Sequence, residues 1–151
     1  MENHSAIKGK IVLVPFPFDD LSATKVRPAI CLTEPIGPHD HIVLAFVSSR
    51  IPQDLQETDI VLDSNNPDFA LTGLRVSSII MLHRLMTVTT ALIRRELGKL
   101  SPQLQLDSDE KLMELFGLTY LINRECDASE QEKSEDKIQD DLSAAGDAAP
   151  K

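Results

Sequence analysis

Hydrophobic residues along this chain fall in short runs separated by turn residues, with a helical stripe only near residue 110. Residues 9–14 (GKIVLV) are rich in β-branched side chains and stop at a proline, which predicts an opening strand. Pro15 and Pro17 exclude helix and interrupt a ladder, so PFPFDDLSATKV reads as a loop or an irregular strand end. Residues 27–33 (RPAICLT) predict a second strand, and EPIGPHD a turn. The nearly continuous apolar run HIVLAFVS, residues 41–48, predicts a strand buried on both faces. Residues 59–62 suit a short edge strand, SNNPD a turn, and residues 69–74 one helical turn. Residues 76–88 (VSSIIMLHRLMTV) predict a long strand kinked near His83, and 94–100 a strand or a helix. Then Ser108 is placed to cap a helix whose apolar stripe runs through Leu112, Leu115, Phe116 and residues 118–122. Many short strands and one late helix predict a mostly β fold, a small curved barrel closed by a C-terminal helix.

Composition then sets the outer limits. The chain has 151 residues, room for one ordinary domain, and no apolar run approaches the ~20 residues that span a bilayer. MENHSAIKGK carries no h-region, and two cysteines, Cys31 and Cys126, are too few for a disulfide framework. The expected setting is therefore a reducing cytoplasm, with no membrane partner. The net charge of −9 is unevenly placed, for residues 127–151 carry eight acidic and three basic groups. That segment has no aromatic residue, and its only large aliphatics are Ile138 and Leu142, which predicts a disordered acidic tail after a folded domain at 1–126. Charge runs of this kind usually just solvate a terminus. The remaining acidity argues mildly against tight non-specific nucleic-acid binding, while leaving room for a local basic patch.

Chemistry concentrates in KGKIVLVPFPFDDLSATKVRPAICLT. His39, Asp40 and His41 lack metal-ligand spacing and read as turn residues, so no metal and no cofactor are expected. Cys31 sits in an apolar strand that raises its pKa and reads as core rather than as a nucleophile. Arg27, opening a strand beside the polar loop, is placed to grip a phosphate in bidentate fashion, and the competing use is a surface salt bridge with Asp19 or Asp20. Ser48 ends the third strand, where its hydroxyl either donates to a phosphorane oxygen or satisfies a backbone group at the turn.

The ordered set formed by PFPFDDLS, KVRPA, IVLAFVSSR, TGLRVSSIIMLHRLMTV and IRRELGKLS, about residues 8–101, resembles the MazF/PemK toxins of bacterial type II toxin–antitoxin systems. The resemblance implies an SH3-like barrel with a terminal helix, usually a homodimer. The activity it implies is metal-independent endoribonuclease cleavage of single-stranded RNA at a short preferred sequence, with a cognate antitoxin occupying the same groove. It places the family's arginine at Arg27 and its strand-end threonine hydroxyl at Ser48, the methyl being lost. A loop hydroxyl of some members corresponds to Ser22, and Lys25, Ser49 and Arg50 are candidate phosphate contacts by position. The substrate's own 2′-OH would attack phosphorus to leave a 2′,3′-cyclic phosphate, Arg27 and Ser48 would stabilise the charge that develops, and Asp19, Asp20 or a water would be the base. Arginine hardly deprotonates at neutral pH, so its electrostatic role is preferred to a role as base. The alternative is a non-catalytic binding module on the same barrel, a gyrase poison or a regulator, because fold alone does not choose between them.

Overall fold

In the computed structural model, residues 6–17 and 24–120 are described. The chain divides into a unit of Met1–Leu115 and a second of Phe116–Lys151. The first holds β1 (Lys10–Pro17), β2 (Thr24–Cys31), β3 (His41–Ser48), β4 (Asp59–Leu62), β5 (Ser78–Thr89), β6 (Arg95–Lys99) and the helix α1 (Pro102–Leu115). All pairings are antiparallel, in one sheet of order β4-β5-β3-β2-β1-β6. Of the second unit only Phe116–Tyr120 are described, with Gly117 in the left-handed region at φ 68°. The expected domain boundary after residue 126 and the tail 127–151 lie outside the described residues.

Neighbouring residues along each central strand bury themselves on opposite faces of the sheet. Ile11, Ile30, Ala45, Val47, Ile60, Ile80 and Leu82 form one cluster, against which Leu104, Leu112 and Leu115 of α1 pack. Val12, Val14, Ala29, Cys31, Ile42, Leu44 and Val88 form the other. That β3 feeds both clusters bears out its continuous apolar run. Ile11 of β1 and Ile60 of β4 come from opposite sides of the sheet yet share a cluster, so the sheet curls strongly into a half-barrel.

The seam is closed by backbone rather than by side chains. A 3-10 turn, Phe69–Thr72, leads to Gly73 at φ 69°, whose N–H donates to Ala70 O at 3.4 Å. A Cβ on Gly73 would overlap the Leu97 carbonyl, and one on Gly98 would lie 2.7 Å from Thr72 O. The turn therefore seats directly on β6, which the absence of side chains at these two positions permits.

Three expectations are corrected here. First, Pro15 and Pro17 do not interrupt the ladder: of the loop or strand end expected over 15–26, β1 and β2 form strand as far as Pro17↔Thr24. The carbonyl of Leu13 faces β6, where it accepts the Arg94 N–H at 2.8 Å. Pro15 and Pro17 share its parity and face the same side, past the last β1–β6 pair, so the β1–β2 ladder loses no donor. Second, Ser108 does not cap the helix. Ser101 does: its Oγ accepts the Leu104 N–H at 3.3 Å, with Pro102 at the first helical position. Ser108 lies instead on the buried stripe Leu104–Ser108–Leu112–Leu115, where a small side chain sits between leucines. Third, the helix stops at Leu115, and residues 121 and 122 of the expected stripe lie outside the described residues. Other expectations hold. The kink near His83 is a bulge in which the β3–β5 register jumps from Ala45↔Leu85 to Phe46↔Met81, and residues 94–100 contain a strand.

Candidate active site at the open end of β2 and β3

The Arg27-Pro28 step shapes the site through the backbone. Even-numbered residues of β2 direct their N–H groups to β3, as Leu32 does in donating to Val43 O at 2.9 Å. Pro28 has no N–H to offer, and the β2–β3 pairing ends one residue before it, at Ala29↔Phe46. Continued by two residues, the same register sets Arg27 across from Ser48, on the face that carries Ala29 and Phe46. The register thus sets two residues 21 positions apart in the chain across from each other just past the last β2–β3 pair, and because β2 begins at Thr24, Arg27 lies within the strand rather than opening it as expected.

Ser48 is half-buried, and its Oγ accepts the Arg50 N–H at 3.1 Å. The turn reading of this hydroxyl is therefore correct, and it does not conflict with the chemical one. Accepting the backbone bond fixes the oxygen and leaves its proton to donate elsewhere. Arg27 is half-buried, and its Cα partner on β1 is Val14. Beside them, Phe16 and Phe46 meet edge to face with ring centroids 4.7 Å apart, and the Arg84 guanidinium lies over Phe46 at 4.9 Å. Lys25 is exposed on β2, beyond Val14↔Arg27 on the β1–β2 ladder in the direction of the loop. Ser49 and Arg50 are exposed just after β3. Ser22, Asp19 and Asp20 lie outside the described residues.

One feature was missed by sequence reasoning. A cleft of about 300 Å³ opens where β2 and β3 part, reaching Arg27, Pro28, Val47 and Ser49. Its far wall is the barrel seam, with Gly73, Leu74, Arg75, Arg95 and Leu97. Its lining holds three arginines and no carboxylate. Arg95 is the Cα partner of Leu13, and both line the cleft, which makes it a charge on an inward-facing strand position. That period-two anomaly is the signal from which it was in principle readable, whereas nothing local marks Arg75.

No group of three His, Cys, Asp or Glu suited to a metal occurs among the described residues. His39 and His41 are exposed, their rings 5.8 Å apart, and His41 opens β3 rather than lying in the turn. Cys31 is fully buried, and burial, aided by the Glu96 carboxylate, pushes its thiol up to about 11. No described helix is long and apolar enough to cross a membrane.

Comparison with solved structures places this geometry among known folds. The chain is similar to the Mycobacterium tuberculosis toxin MazF-mt6 (21% identity, TM-score 0.55, covering 72% of this chain and 97% of that one). It is similar also to a mycobacterial endoribonuclease solved with its cognate antitoxin (10% identity, TM-score 0.55, covering 76% and 97%). A third is MazF of the MazE–MazF complex of Deinococcus radiodurans (16% identity, TM-score 0.53, covering 77% and 99%). At these identities the likeness is one of fold. Comparison with curated protein sequences gave no match. The model of the PemK-like, MazF-like toxins matches residues 7–116, which include every strand, the Arg27–Ser48 site and α1. The chain therefore belongs to the PemK-like, MazF-like toxin family of type II toxin–antitoxin systems.

Proposed function

We propose that the protein is an endoribonuclease toxin that cleaves single-stranded RNA without a metal, acts as a homodimer in the cytoplasm, and is neutralised by a cognate antitoxin. The observation that carries the reading is the β2–β3 register, which, continued past its last pair at Ala29↔Phe46, sets Arg27 across from Ser48 where Pro28 ends the ladder. Cleavage by the neighbouring 2′-OH requires in-line positioning and stabilisation of the extra charge on phosphorus. The Arg27 guanidinium supplies two parallel donors to the phosphorane, and the Ser48 hydroxyl, its oxygen held by the Arg50 N–H, supplies a third. Lys25, Ser22, Ser49 and Arg50 bind phosphate around this pair. Incubation with mixed-sequence RNA in excess EDTA tests the reading. Wild type is expected to leave 2′,3′-cyclic phosphate ends, Arg27→Ala to leave none, and DNA of the same sequence to stay intact. Failure of wild type to cleave RNA would overturn the ribonuclease reading in favour of a binding module.

A further inference from the structure

We propose that the cleft at the barrel seam is a nucleotide subsite of the RNA substrate, in which Arg75 and Arg95 hold the phosphate and base of a residue flanking the scissile position. The inference rests on the ribonuclease reading above and extends it to residues that the Arg27–Ser48 pair does not include.

Three observations converge. The cleft opens beside Arg27 and Ser49 on the face of the sheet that carries Val47 and Leu97, so a strand held by the Arg27 and Ser48 side chains on the opposite face reaches it by passing over the parted edge of β2 and β3. Its volume of about 300 Å³ is at the small end of ligand sites and suits one nucleotide. Its charge is single-signed: neither Arg75 nor Arg95 forms an ion pair or hydrogen bond among the described residues, and no carboxylate lines the wall. Elsewhere in the first unit, by contrast, Lys8 and Lys10 are tied to Asp109 and Glu96 at 3.1 Å each. Two guanidinium-bearing side chains in one cleft with apolar Leu13, Leu74 and Leu97 match what a nucleotide presents, a planar base and an adjoining anion. Guanidinium planes stack on unpaired bases and pair bidentately with phosphate.

The position of the cleft follows from two backbone features. Pro28 ends the ladder that would otherwise close the gap between Pro28 and Val47, and the seating of Gly73 on Leu97 brings Arg75 to the wall that carries Arg95. The subsite is therefore set by the fold.

Both arginines are exposed, so their replacement leaves the core intact. The probe is a mixed-sequence RNA with 2′-O-methyl riboses, which binds without being cut, titrated by fluorescence anisotropy over a range of salt. Arg75→Ala and Arg95→Ala are each expected to weaken binding several-fold. The double variant should make the slope of log K against log salt shallower by about 0.7 for each phosphate it no longer neutralises. With cleavable RNA, the double variant should raise KM and leave the single-turnover rate at saturation within about twofold, whereas Arg27→Ala removes that rate. Wild-type affinity and an unchanged salt slope in the double variant, with wild type still cleaving, would overturn the subsite and leave the ribonuclease reading standing. No cleavage by wild type would overturn both.

Discussion

At the scale of single residues, the site turns on what each polar atom is already doing. Ser48 Oγ accepts the Arg50 N–H, so the hydroxyl is oriented before any substrate arrives. Ser48→Thr preserves that bond and the donor, and should keep the single-turnover cleavage rate within a few-fold. Ser48→Ala removes a donor aimed at developing charge, which typically costs on the order of 10²–10³ in rate. An equal rate for Ser48→Ala would assign the hydroxyl to the turn alone. Cys31 shows the opposite case, a reactive group type silenced by its surroundings. Its ordinary pKa of 9.0 rises to about 11 on burial, so the folded state disfavours the thiolate. The associated stability is complete below pH 9 and declines as the pH climbs toward 11. Iodoacetamide at pH 8 should accordingly alkylate Cys31 only after unfolding, as mass spectrometry of native and denatured samples would reveal.

At the scale of elements, proline does two different things in the same sheet. Pro15 and Pro17 face the side beyond the last β1–β6 pair and cost no ladder bond, whereas Pro28 faces β3 and ends the ladder there. On the proposed reading the second effect is the functional one, because it parts β2 from β3 beside Arg27. Pro28→Ala restores an N–H directed at Val47, and the two strands should then zip one pair further. The expected result is a narrower cleft and weaker RNA binding, with no loss of thermal stability. Unchanged affinity in that variant would show that the ladder end has no part in recognition. The helix illustrates how start signals compete. Both Ser101 and Ser108 have a cap's chemistry, but only Ser101 precedes a proline at the first helical position, and Ser108 falls on the stripe with Leu104 and Leu112.

At the scale of the whole molecule, an acidic protein presents a basic site because its charges are segregated. Of the net −9, more than half belongs to residues 127–151. Arg27, Arg75 and Arg95 line one cleft. The chain ends of the barrel are fastened electrostatically as well. Glu34 accepts the N–H groups of Ile7 and Lys8 at 3.0 Å each, and these bonds hold its carboxyl below its ordinary value of 4.5. A depressed pKa contributes stability that is present above pH 4.5 and lost as the pH falls through the folded value. Glu34→Gln should therefore lower stability near neutral pH and flatten the acid limb, and a pH series of denaturant midpoints would show both effects. Parallel curves for the variant and wild type across pH 3–6 (about one to two units on either side of the ordinary value) would count against that account.

The sequence by itself determined the order and most of the types of the elements, the burial of β3 and the silence of Cys31, and it named Arg27 and Ser48 as candidates. These follow from periodicity and local chemistry, which act within a few residues and are written directly in the chain. The family resemblance was legible for the same reason, since its motifs are contiguous. Only the tertiary structure decided which serine caps α1, which prolines a ladder tolerates, and where Arg75 and Arg95 stand. Each of these depends on what lies across from a residue rather than beside it. A cap is chosen by which face the helix buries, a proline is tolerated by which edge its nitrogen meets, and a cleft exists only where strands distant in the chain curl until their ends come together.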